Sequence, residues 1–208
     1  MKVLLVNGSP HKEGCTYTAL SEIAKTLKEE GIESEIFQVG TKYEACRACY
    51  ACRKIGHCVI NDGVNEFIDK AKDFDGFIIG SPVHYGSACG GITTFMDRVF
   101  FAAMTRPEVF THKPGSAIVS ARRAGTTAAI DQLNKYFLIS QMPLIAGRYW
   151  NMVHGATAEE VKQDFEGMQN MRILARNMAW HLKCKEAADK SGVPMPKTDE
   201  TVYTNFIR

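Results

Sequence analysis

Five short apolar runs, each followed by a turn and then by a segment of helical period, leave this chain few folds to choose from. The runs are Val3 to Val6, Ile32 to Phe37, Gly76 to Ile79, Ser116 to Val119 and Leu144 to Val153. The first, third and fourth are continuously apolar, as strands covered on both faces are. The second alternates through Ile32, Ser34, Ile36 and Gln38 and reads as a strand near an edge.

The intervening segments carry helical spacing. Ala19, Leu20, Ile23, Ala24 and Leu27 share one face before Gly31 stops the pattern. Phe67, Ala71 and Phe74 mark a second helix behind Asn61, Asp62 and Gly63, and Ile92, Phe95, Met96 and Val99 a third. Ala128, Leu133, Tyr136 and Phe137 give a fourth, and one helix is expected from about Ala158 to Leu182. Strands alternating with helices build right-handed βαβ units, hence an α/β three-layer sandwich with helices on both faces. The expected sheet is parallel and five-stranded, in the order 2-1-3-4-5, with the ligand crevice beside the first and third strands. One domain is expected over residues 1–186, with a cysteine-rich loop at 42–60, followed by a polar C-terminal extension over 187–208. Pro194 and Pro196 make that extension an extended arm or a disordered end.

A net charge of +2 gives no footprint for a nucleic-acid partner. No run approaches the roughly 18 apolar residues of a membrane span, and the start, MKVLLVNGSP, is too briefly apolar for an export signal. Seven cysteines, four of them clustered, without such a signal fit a reducing compartment. A cytoplasmic protein is expected.

Three polar loops leave the carboxyl ends of adjacent strands. The first, Gly8 to Thr18, offers Ser9, His11, Lys12, Thr16, Tyr17 and Thr18 just ahead of a helix. Backbone amides and the helix dipole there attract a phosphate; an ordinary capped turn is the alternative. It matches neither a Walker loop nor the GxGxxG fingerprint. The second, Ser81-Pro82-Val83-His84-Tyr85-Gly86-Ser87, puts two rings at a strand end, suited to a flat heterocycle or else simply surface aromatics. Pro82 is expected to end the strand, and Gly86 to let backbone approach a ligand. The third, Ser120 to Thr127, carries Arg122 and Arg123, able to stabilise negative charge on a reduced ring if they are not simply solvated.

The GSPHKEGCT loop, the SPVHYGS loop with its downstream TTFMDR, and SARRAGTTAAIDQL resemble the NADPH-dependent FMN reductase family of flavodoxin-like proteins. CRACYACRKIGHC resembles that family's iron–sulfur flavoprotein branch, and the likeness runs from residue 1 to about 180. The resemblance implies that Ser9, His11, Thr16 and Thr18, with Tyr17 beside them, hold the FMN phosphate. It implies that Pro82, Val83, His84, Tyr85, Gly86 and Ser87 line the isoalloxazine. Ser120, Arg122, Arg123 and Gly125 would contact its far edge or the ribityl chain. It further implies NAD(P)H as co-substrate, a small acceptor such as a quinone or flavin, and a homodimer or homotetramer. Cys15 stands where such proteins often carry Asn, and His84 where they often carry Tyr. No general acid or base is assigned, because the flavin supplies the chemistry.

Cys46, Cys49, Cys52 and Cys58 give C-x2-C-x2-C-x5-C. Repeated x2 spacing is what ferredoxin loops use for ligands of one cubane. A [4Fe–4S] cluster relaying electrons from a ferredoxin-type partner, a zinc site, and free or redox-active thiols without metal remain three readings of the segment. His57 reads as a surface residue, Cys89 as a small packed group, and Cys184 as part of the last helix. Asp97 and Arg98 read as a local ion pair, and Trp150 and Trp180 as core or interface residues.

Overall fold

The structure, a computed structural model, describes residues 1–197, 199–204 and 206. Strands β1 (Lys2–Asn7), β2 (Glu33–Gln38), β3 (Gly76–His84), β5 (Gly115–Ala121) and β6 (Met152–His154) form the parallel sheet, and β4 (Ser87–Ala88) folds back antiparallel on the end of β3. The spatial order is β2-β1-β3-β5-β6, which is the expected order once the small β4 is set aside. β2 is an edge strand and its alternating burial follows from that position.

Successive β1 side chains point to opposite faces. Val3 and Leu5 pack with Leu20, Ile23 and Leu27 of α1 (Cys15–Glu29) and with Leu174 and Met178 of α7 (Phe165–Lys190). Leu4 and Val6 pack with Phe67 of α3 (Val64–Ala71), Phe95 and Met96 of α4 (Gly90–Ala103), and Leu133 and Phe137 of α5 (Thr126–Ile139). Each such fully buried side chain contributes about 1.5–3 kcal/mol. The two remaining helices are short: α2 (Cys52–Ile55) in the cysteine segment and α6 (Ala158–Gln163) ahead of α7.

The structure corrects several expectations. The helix expected from Ala158 to Leu182 is two, because Asp164 leaves helical geometry and its side chain caps Gly167 N. α7 then runs on to Lys190, past the boundary expected at 186. The fifth strand is far shorter than Leu144 to Val153: only Met152–His154 pairs with β5, and Leu144 meets Gly115 in an isolated bridge. Between them, buried Asn151 and Asn170 accept from the amides of Gly147, Arg148 and Tyr149, holding that stretch as a loop. α1 begins at Cys15, so Thr16, Tyr17 and Thr18 belong to its first turn, while Phe74 lies beyond the end of α3. Trp150 and Trp180 are exposed, not core residues.

Pro82 does not end β3. The strand continues through it to His84, pairing Pro82 with Ser120 of β5. β1 ends opposite Gly80. Past that point β4 takes the flank β1 leaves, with Cys89 N donating to the Pro82 carbonyl at 3.2 Å, and the proline merely returns no N–H to it. In the extension, Thr201 and Tyr203 line a groove with Phe101, Met104 and Ile139; residues 198, 205, 207 and 208 lie outside the described ones. Among the described residues no helix is long and apolar enough to cross a membrane.

Candidate functional site

β1, β3 and β5 all deliver their loops to one end of the sheet, and side chains from the strand ends lock those loops together. Asn7, the last residue of β1, is fully buried. Its Nδ2 donates to Gln38 Oε1 at 2.6 Å and to the carbonyls of Lys12 and His11 at 3.3 and 3.4 Å, while its Oδ1 accepts from Ser9 N. Gln38, the last residue of β2, donates back to the Ser9 carbonyl at 2.7 Å. Sequence reasoning missed both; the signal was a polar residue closing each of two adjacent apolar strands.

This frame holds the first loop open toward the N-terminus of α1. Gly14 is the N-cap and supplies no side-chain acceptor, so the first-turn amides keep their donors for a ligand. Gly8 lets the loop start close against its neighbours, since a Cβ there would stand 2.6 Å from Ile92 Cβ and 2.7 Å from the Gly80 carbonyl.

The expected phosphate ligands are not equivalent. Ser9 is buried and its Oγ accepts from His11 N at 3.1 Å, while His11 itself is exposed and Tyr17 half-buried. Thr18 Oγ1 donates to the Gly14 carbonyl. Thr16 is 1% exposed and shares a hydrogen bond of 2.9 Å with Ser120 Oγ. That bond ties the first loop to the third instead of facing solvent. Cys15 Sγ reaches the Gly155 carbonyl at 3.6 Å. Burial pushes its thiol above the ordinary value, and Glu160 and Glu159 add to that, so it stays neutral at the start of α1.

The second and third loops also touch. Gly125 caps α5 at φ +93°, with Gly86 and Val83 against it. Gln132 of α5 accepts from Ser87 Oγ at 2.6 Å and from Ala88 N at 3.2 Å, fixing the hairpin. Pro82 and Val83 are half-buried below it; His84, Tyr85 and Gly86 form its exposed tip, with Tyr85 held at a positive φ of 50°. Arg122 and Arg123 are exposed, in the loop whose Gly125 meets Gly86. The structure therefore brings all the expected FMN residues to one end of the sheet, with Thr16 and Ser120 as the bond that ties the loops. Three loops packed together through glycines, an α1 N-terminus without a side-chain cap and an exposed hairpin carrying His84 and Tyr85 fit a phosphorylated planar ring.

The cysteine segment lies beside α4. Cys46, Cys49, Cys52 and Cys58 line one small cup, together with Arg98, Phe101 and Ala102. Cys46 and Cys49 are exposed and Cys52 is buried. Burial pushes the Cys52 thiol up, and the neighbouring Cys58 and Cys49 sulfurs add to it. A metal centre offsets such mutual repulsion by taking the thiolates as ligands. The expected ligand geometry is not drawn, however: among the described residues no three His, Cys, Asp or Glu side chains stand together as a metal site. The donor set and the apolar cup suit an iron–sulfur centre; the segment holds its sulfurs around the cup without converging them.

Asp97 and Arg98 are not a local pair. Asp97 accepts from Tyr136 of α5, whereas Arg98 turns under the cysteine segment and pairs with Asp62. Burial is the largest influence and opposes ionisation of Asp62, but the Arg98 hydrogen bond and charge, with the Glu44 and Val64 amides, together outweigh it and hold the carboxyl below its usual range.

The family model described as NADPH-dependent FMN reductase matches residues 1–157. The chain belongs to the NADPH-dependent FMN reductase family. Membership makes this FMN reductase relative an FMN-dependent oxidoreductase. It is 31% identical to an iron–sulfur flavoprotein of Methanocaldococcus jannaschii, covering 86% of this chain and 96% of that protein. It is 30% identical to one of Archaeoglobus fulgidus, covering 87% and 97%. In three dimensions this member of the FMN reductase family resembles a flavodoxin from the domain Archaea, with TM-score 0.59, 15% identity and coverage of 88% and 99%.

Proposed function

We propose that the protein accepts electrons from NAD(P)H on FMN bound across the three loops and passes them to a small acceptor such as a quinone or flavin. The observation that carries this reading is the cradle itself: three loops at the ends of β1, β3 and β5, joined by the Thr16–Ser120 hydrogen bond and the Gly125–Gly86 contact, with an exposed hairpin at the rim. When bound, the flavin supplies the hydride and electron chemistry. The chain supplies binding and orientation. First-turn amides of α1 with Ser9 hold the phosphate, Pro82 to Ser87 support the ring, and Arg122 or Arg123 opposes negative charge on its pyrimidine edge. His84 and Tyr85 leave the outer side of the hairpin free for a nicotinamide to approach.

The test is anaerobic mixing of FMN-loaded protein with NADH and with NADPH. Bleaching of the flavin band by either supports the reading; a band unmoved by both overturns it.

A second reading has its own observation, the four cysteines around one cup against α4. On it, a [4Fe–4S] cluster held by Cys46, Cys49, Cys52 and Cys58 relays electrons between a ferredoxin-type partner and FMN, in line with relatives named iron–sulfur flavoproteins. Iron and acid-labile sulfide in protein never exposed to air support it, and absence of both overturns it. Exposed Tyr85, Trp150 and Trp180 support assembly as a homodimer or homotetramer, which light scattering measures.

A further inference from the structure

Arg98 lies mid-way along α4 and is 2% exposed, eight residues or about 12 Å of helix beyond Gly90 at the flavin-side loop. Its guanidinium is spent on the cysteine segment and on Asp62 just after it. Nη1 donates to the Glu44 carbonyl at 3.1 Å, Nη2 to the Ile60 carbonyl at 3.1 Å, and both to the Asp62 carboxylate. Those contacts are enough to anchor the segment. Nε and Nη2 also donate to Cys58 Sγ, at 3.4 and 3.3 Å.

The pair of bonds to sulfur is not needed to fix the Cys58 backbone. Asn65 already does that, its Oδ1 accepting from Cys58 N and its Nδ2 donating to the Cys58 carbonyl, both at 2.8 Å. Among the described residues the sulfurs of Cys46, Cys49 and Cys52 accept no hydrogen bond from a charged side chain. One thiol of the four is thus singled out, by a cation with fixed fork geometry. Charge-assisted N–H···S bonds withdraw electron density from a thiolate ligand and favour the more negative, reduced state of the metal centre behind it.

We propose that Arg98 is a positioning residue that holds Cys58 as a distinct ligand of an iron–sulfur centre and raises the reduction potential of that centre through its paired N–H···S bonds. The inference rests on the iron–sulfur reading above. The rival is that Arg98 merely anchors the segment through Asp62 and the two carbonyls.

The test uses anaerobically reconstituted, FMN-loaded protein as wild type, Arg98→Lys and Arg98→Gln. Iron and sulfide are counted, and the iron and flavin chromophores are titrated in the same electrochemical cell. At wild-type iron content, Arg98→Gln is expected to titrate at lower iron potential with the flavin unmoved, and Arg98→Lys between the two. Wild-type protein carrying 15N-arginine is expected to change the electron spin-echo modulation of the reduced centre, because two guanidinium nitrogens lie against a ligand sulfur. Full iron with unshifted potentials in both variants overturns the proposal. Should the variants lose iron because the segment unfolds, the labelled wild type decides alone, and modulation indifferent to the label overturns it. Wild type that reconstitutes without iron or sulfide overturns the cluster reading and this inference together, while FMN binding and its reduction by NAD(P)H still report separately on the flavin reading.

Discussion

Gly125 and Gly86 meet backbone to backbone: a Cβ at position 125 would stand 2.6 Å from the Gly86 Cα. The loops after β3 and β5 therefore close on each other only because one glycine has no side chain. Gly125 also adopts φ +93°, so Gly125→Ala adds backbone strain of about 1–3 kcal/mol to the clash. Gly86 has a positive φ but open space around it, so Gly86→Ala is expected to cost only about 1–2 kcal/mol. Urea unfolding with FMN titration separates them. Equal losses for the two variants would refute a contact role for Gly125.

Thr16 and Ser120 are expected to behave as one unit. Ser120→Ala strands the Thr16 hydroxyl in a site only 1% exposed, which costs about 1–3 kcal/mol. Adding Thr16→Val removes the stranded group, so the double variant should lose less than the sum of the singles. Additive losses in a thermodynamic cycle would contradict the coupling.

Asn7→Ala removes the donors that fold the first loop over Ser9. Apoprotein carrying it is expected to bind FMN about tenfold more weakly, equivalent to roughly 1.4 kcal/mol, by fluorescence quenching. Unchanged affinity would mean the loop holds its shape without the Asn7 frame.

His181 of α7 has its pKa depressed, first by burial and then by Lys185. The unfolded chain takes up its proton near the ordinary value of about 6.5, the folded chain only at lower pH. Stability from this group is therefore complete above that value and declines as pH falls through the window beneath it. Melting temperatures between pH 8 and 5 should fall, and His181→Gln should flatten the slope. An unaltered slope would assign the pH dependence elsewhere.

The sheet was legible because Val3 to Val6 and Ser116 to Val119 are apolar on both faces and only a doubly covered parallel sheet buries such strands. The break at Asp164 was not, because Val161, Phe165 and Met168 keep helical spacing straight across it, and the kink depends on a carboxylate finding Gly167 N. At the site, the three loops announced themselves through hydroxyls, glycines and rings. Their fastening did not, because the pairing of Thr16 with Ser120 spans 104 residues. Arg98 was misread for the same reason: Asp97 adjoins it in sequence, but on a helix neighbours in sequence point to different sides, and its carboxylate partner, Asp62, comes from the loop ahead of α3, 36 residues away.

Pro82 carries β3 beyond the end of β1 while offering no amide on that flank. β4 covers that flank, with Cys89 N donating to the Pro82 carbonyl, where a foreign β-segment would otherwise join. The central strand thus carries the very hairpin that shields its overhang from aggregation.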